Sequence, residues 1–158
     1  MKKMTVRLLC VTTALLGAQA FSSQDMSQTN TGVQDYSIQV EQRQHAFKQV
    51  ESFVDKADDT LDGSDTDWTA LSSISLNLAN HSQELMTLFP AGSQEGSKAK
   101  DTVWTKPEKF NQLMKQMNEG FTALHQASKQ SDVSLAELGL ETAQDTCKSC
   151  HRSYRSRW

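Results

Sequence analysis

Between Leu71 and Leu88 the chain places Leu71, Ile74, Leu78, His81, Leu85 and Leu88 at alternating spacings of three and four. A seam of that period lies along one face of an α-helix and does not fit the two-residue alternation of a strand. It is also the heptad-like spacing that suits near-antiparallel helix packing. Asp65, Thr66 or Asp67 can cap this helix, and Phe89-Pro90-Ala91-Gly92 stops it. Three further segments carry stripes of the same kind. From about Gln34 to Lys56 the stripe is Val40, Phe47, Val50 and Val54, ended by Asp58-Asp59-Thr60 and Asp62-Gly63-Ser64-Asp65. A loop runs from the second helix to about Val103. Lys106-Pro107-Glu108 then opens a third helix to about Gln130, with Phe110, Met114 or Leu113, Met117, Phe121 and Leu124 on its face. Ser131-Asp132 ends it. Ser134 and Glu137 form a capping box for a fourth helix, which carries Leu140, Ala143, Cys147, Cys150, His151 and Tyr154 to the end of the chain. Gly139 weakens that helix by about 1 kcal/mol unless close packing requires it. With no strand pattern and no internal repeat, the expectation is an all-α, antiparallel four-helix bundle over residues 34–158.

The first twenty residues read as a signal peptide. Lys2, Lys3 and Arg7 form a basic start, Leu8 to Gly17 a short apolar stretch, and Ala18-Gln19-Ala20 a small-x-small cleavage site. The apolar stretch is too short to span a bilayer, so no membrane anchor is expected. Residues 21–33 are rich in Ser, Gln, Asn and Thr and read as a flexible leader. Three of the 16 basic residues leave with the signal, so 13 remain against 19 acidic ones and the mature net charge is −6. That balance disfavours nucleic acid and points to basic docking partners. Cys10 also leaves with the signal, so the mature chain keeps only Cys147 and Cys150.

Those two cysteines belong to Cys147-Lys148-Ser149-Cys150-His151, a C-x-x-C-H run. The motif signals attachment of a c-type haem: two thiols become thioethers and the imidazole becomes an axial iron ligand. On a helix at about 100° per residue, Cys150 and His151 lie within roughly 60° of Cys147, so one face presents all three groups. A thioredoxin-like redox pair would need a preceding strand, and a structural zinc site a fourth ligand. A plain disulfide would leave His151 without a role. Haem attachment implies export, and the expected compartment is the periplasm.

The motif's place in the last helix resembles the cytochrome c′ family, the class II c-type cytochromes, a standing example of the up-down bundle. Gln42-Arg43-Gln44-His45-Ala46-Phe47 is similar to the family's first-helix signature. Phe89-Pro90-Ala91-Gly92 with Trp104 and Phe110 resembles its middle section, and Cys147 to His151 with Tyr154-Arg155 its end. The resemblance covers residues 34–158. Low-spin members carry a coordinating Met four residues after the Arg, where this chain has Phe47. The resemblance therefore implies one haem c per chain, five-coordinate high-spin iron, a hydrophobic distal face, and binding of NO or CO. It further implies that Arg43 pairs with a haem propionate, that Arg155 lies at the proximal face, and that the protein is a homodimer through its first two helices. A one-electron carrier between periplasmic redox partners is the alternative. No distal His/Arg pair for O–O cleavage stands out, so a binding protein is expected rather than an enzyme.

Other residues have blander readings. Arg155 can belong to a basic tail with Arg152 and Arg157, and Arg43 can be a solvated helix charge. His81 reads as a hydrogen-bonded core or rim histidine rather than an iron ligand. Met86, Met114 and Met117 read as core filler, and Trp104 and Phe89 as packing.

Overall fold

The computed structural model describes residues 34–63 and 65–157; the signal segment and leader expected at 1–20 and 21–33 lie outside the described residues. Of four long helices, α1 (Ser37–Leu61) and α2 (Trp68–Leu85), and α4 (Pro107–Gln130) and α5 (Val133–Tyr154), are joined by short links, while a longer connection over residues 86–106 with the single-turn α3 (Thr102–Thr105) joins α2 to α4. Phe53 of α1 stacks on His81 of α2, and Asn118 of α4 reaches Ser82 of α2. Gln144 of α5 reaches Asp58 of α1. Along α2 and α4 the pairs Ser75–His125 and Ser82–Asn118 run in opposite order, as do Gly120–Ala143 and Leu124–Gly139 along α4 and α5, so these neighbours are antiparallel in the ring α1, α2, α4, α5. Three sides of that ring are well packed, whereas α1 and α5 barely touch.

The core follows the stripes, with two corrections. Leu71, Leu78 and Leu85 are fully buried, but the positions between them on the seam belong to Ser75 and Ser82, also fully buried. Ile74 and His81 sit at its flank, only half buried. Serine works here because its hydroxyl is satisfied locally. Ser82 Oγ donates to the Ala79 carbonyl (3.0 Å) and accepts from Asn118 Nδ2 (2.9 Å). Ser75 Oγ lies 3.1 Å from both the Ser72 carbonyl and His125 Nδ1. A buried hydroxyl with partners costs little, and its small volume lets α4 come close. On α4, Leu113 and Met114 are both buried, as are Phe110, Met117, Phe121 and Leu124.

Helix limits shift for physical reasons. α1 continues past Lys56 to Leu61 because Ala57 is fully buried and Asp58 is held by Gln144 Nε2 (2.7 Å). Packing overrides the turn-forming preference of Asp58-Asp59-Thr60. Asp67 is the cap of α2, its carboxylate accepting from the Ala70 N–H. α5 is capped by Asp132, which accepts from the Leu135 N–H (3.0 Å), rather than by Ser134 of the expected capping box. Ser131 takes the left-handed conformation (φ 54°) that closes α4, so two residues suffice to reverse the chain.

Gly139 is explained by contact. A Cβ there would lie 2.6 Å from the Leu124 backbone nitrogen, and one at Gly120 would lie 2.7 Å from the Ala143 nitrogen. The two glycines let the backbones of α4 and α5 meet directly. This clamp holds α5 against α4 and leaves its other flank facing the loose α1–α5 seam.

Candidate haem site

Cys147, Cys150 and His151 lie in the last two turns of α5. Both cysteines are half buried and unpaired, and Cys150 packs against the apolar core. Burial pushes both thiols up, Cys150 to about 11, with the neighbouring Cys147 adding to the effect. Thiols so placed stay protonated at neutral pH. A dithiol redox centre works through a thiolate of lowered pKa, and this setting does the opposite. Nor is there, among the described residues, any gathering of three His, Cys, Asp or Glu side chains that a zinc site would use. Of the readings weighed for the motif, covalent attachment to an apolar macrocycle fits this environment.

His151 is solvent-exposed at the seam. Partial burial of its ring and the charge of Arg155 lower its pKa, while Glu51 on α1 opposes the shift. The imidazole is thereby kept neutral, with a lone pair free for a metal. The influence of Glu51 puts His151 across from the α1 turn that follows Phe47. Sequence reasoning did not single out Glu51, since one carboxylate on an exposed face carries no pattern.

The end of α5 is pinned. Tyr154 is buried with its ring edge-on to Phe110 (5.3 Å). The Lys100 N–H donates to the Tyr154 carbonyl and the Ser156 N–H to the Lys98 carbonyl, both at 2.8 Å. Ala99 and Arg155 form an antiparallel bridge. The motif therefore sits on a helix end that cannot fray freely.

Phe47 is half buried, with its ring edge-on to Phe89 (6.4 Å). Phe89 continues the cluster to Trp104 (6.3 Å) and Phe110 (4.9 Å). Trp104 is fixed by donating to the Pro90 carbonyl (2.8 Å). These aromatic rings close the bundle end where α1 begins and α5 finishes.

Arg43 is buried, only 2% exposed, one turn before Phe47. Its guanidinium donates to the Leu88 carbonyl, to Ser93 Oγ (3.0 Å) and to the Ser93 carbonyl. It also lies 4.8 Å from the centre of the Phe89 ring. All these partners are neutral, and burial lowers its pKa. Three of its five N–H groups are used, and no carboxylate meets it among the described residues. A buried cation without an anion is costly, and a propionate would offset that cost. The donor set, the apolar thiols and this unmatched guanidinium together fit a haem.

The other side chains with a donor atom for iron are differently placed. Met114 and Met117 are buried on α4, and Met86 is exposed at the end of α2. His81 stacks on Phe53 and meets Glu84 at 3.6 Å on the α1–α2 side. Ser93, the main partner of Arg43, was not foreseen, because a lone serine after Pro-Ala-Gly reads as loop.

Residues 38–155 match the family model described as Cytochrome C′. The chain is 34% identical over 74 residues to cytochrome c-554 of Cereibacter sphaeroides, covering 44% of this chain and 55% of that protein. It thus spans about half the length of the curated relatives it matches. The solved cytochrome c′ of Shewanella frigidimarina superposes with a TM-score of 0.71 at 26% identity, over 78% of this chain and 98% of that one. A ferrous variant of the Alcaligenes xylosoxidans cytochrome c′ with bound NO does so with a TM-score of 0.71 at 20% identity, over the same shares. With the fold, the C-terminal attachment motif and a family match across the whole bundle in agreement, the chain belongs to the cytochrome c′ family and carries covalently bound haem c.

Proposed function

We propose that this is a periplasmic haem protein with five-coordinate, high-spin iron that binds NO or CO and so protects against nitric oxide. Cys147 and Cys150 anchor the haem, His151 is the axial iron ligand, Arg43 neutralises a propionate, and Arg155 sits beside the proximal face. Bound haem supplies an open iron coordination position; the chain's own residues decide what reaches it. The observation carrying this reading is Phe47, half buried on the α1 flank of the seam; the imidazole of the same helix turn, His45, is exposed, two residues and so about 200° away around the axis. A hydrocarbon ring there admits a neutral diatomic by moving aside, and offers no hydrogen bond to a polar Fe–O2 unit. The structure of an NO-bound relative supports the choice of ligand. Ile38 and Leu76, exposed on α1 and α2, support a homodimer through those helices.

A one-electron carrier is the second reading, favoured by the similarity to cytochrome c-554 and by the exposure of His151 at the surface. The gas-binding reading is tested by Phe47→Ala. Removing the ring lowers the steric barrier by about 1.4 kcal/mol or more, so CO association with the ferrous protein should accelerate about tenfold. Flash photolysis measures this directly, and an unchanged rate would show that another group covers the iron.

A further inference from the structure

Charge is unevenly placed along this bundle: aspartates crowd one end, while the other carries a cluster of cations among scattered carboxylates such as Glu95, Asp101 and Glu108. From Asp55 to Asp67 the chain holds six aspartates and one lysine, and from Asp132 to Glu141 three carboxylates and no cation. Both stretches lie where α1 ends and α5 begins. Burial first, and then the neighbouring Asp62, Asp55 and Asp59, push the Asp58 carboxyl up against the lowering bond from Gln144. At the opposite end, residues 148–157 hold Lys148, Arg152, Arg155 and Arg157 and no carboxylate. The bridge between Ala99 and Arg155 adds Lys98 and Lys100 to them. An open groove of about 540 Å³ at the His151 side of the haem site is lined by Lys98, His151, Arg152, Arg155, Ser156 and Arg157; among the described residues no carboxylate lines it, and Glu51 of α1 acts on His151 from across the seam. Lys100 Nζ donates to the Arg152 carbonyl at its edge (3.2 Å).

We propose that this groove is the docking surface for an acidic protein, one presenting a cluster of carboxylates for electron exchange with the haem. The inference rests on haem attachment at His151 and reverses what net charge alone suggests. Within a Debye length of about 8 Å, an approaching molecule senses the local cations and not the distant aspartates. A protein surface is favoured over an anionic membrane because the exposed large apolar side chains of the described residues, Ile38, Leu76, Met86, Val133, Leu135 and Leu138, lie on α1, on and just after α2, and at the start of α5. None borders the groove to anchor it in lipid.

The test mixes ferrous holoprotein with hexacyanoferrate(III), which accepts one electron from the iron to become hexacyanoferrate(II). If the groove governs encounter, the oxidation rate falls several-fold between about 10 and 200 mM salt, although protein and oxidant are both net anions. Hexaammineruthenium(II), a cation reducing the ferric protein, should show the opposite trend. A K98Q/R152Q/R157Q variant with an unaltered Soret band should lose about two-thirds or more of the low-salt rate. A hexacyanoferrate rate that rises with salt, or a variant with the wild-type slope, overturns the proposal. So does pelleting of the protein with phosphatidylglycerol vesicles, which would assign the groove to membrane. A preparation without a Soret band refutes the haem reading itself, so the two failures are distinguishable.

Discussion

Chains carrying Cys147→Ala together with Cys150→Ala will fold into the same bundle but release their haem into acidified organic solvent, whereas the wild type will retain it. Under the proposed assignment, thioethers at Cys147 and Cys150 would make iron binding by His151 intramolecular, with an effective ligand concentration that free haem does not match. Without them, one imidazole on a solvent-exposed turn must hold the macrocycle alone. The fold should survive because both cysteines are only half buried and lie at the seam, outside the leucine and phenylalanine core. Alanine there removes one sulfur each, at about 1 kcal/mol. Extraction followed by absorption of the protein phase reads the outcome. Haem that stays with the doubly substituted chain would mean that the attachment assigned to these thiols is wrong.

Gly139→Val will destabilise the bundle by about 3 kcal/mol or more, lowering the thermal midpoint by roughly 10 °C. The first added carbon already falls 2.6 Å from the Leu124 nitrogen and 3.0 Å from the Gly120 carbonyl oxygen. Those neighbours are backbone and cannot turn aside, so α4 and α5 must separate along their length. Gly139→Ala should also destabilise, even though alanine gains about 1 kcal/mol of helix propensity over glycine. Gly63→Ala is the control, because its added carbon meets nothing nearer than 3.7 Å. Thermal unfolding followed by circular dichroism compares the three. A Gly139→Val protein as stable as wild type would show that the helices do not touch there.

These cases mark what could be read from the sequence. The helices were legible because Leu71, Leu78 and Leu85, or Phe110, Met117 and Phe121, bury at helical spacing whatever lies opposite. The attachment motif was legible because two thiols and an imidazole at fixed spacing have few other uses. Ser75 and Ser82 were missed because a buried serine announces itself only through partners on another helix, here His125 and Asn118. A propionate role for Arg43 comes from resemblance alone, and its bonds to Leu88 and Ser93 span 45 and 50 residues and leave no local trace. Basic docking partners follow from a sum of charges, and a sum does not register that Lys98, Arg152, Arg155 and Arg157 gather along one groove.

The central claim is that iron is held from α5 with hydrocarbon, and no sixth protein ligand, on its other side. Absorption and resonance Raman spectra of the mature holoprotein, ferric and ferrous, test it most directly. The expected spectra are those of covalent haem with five-coordinate, high-spin iron in both states that shifts on adding NO; low-spin, six-coordinate iron in both states, or protein without haem, would contradict the account.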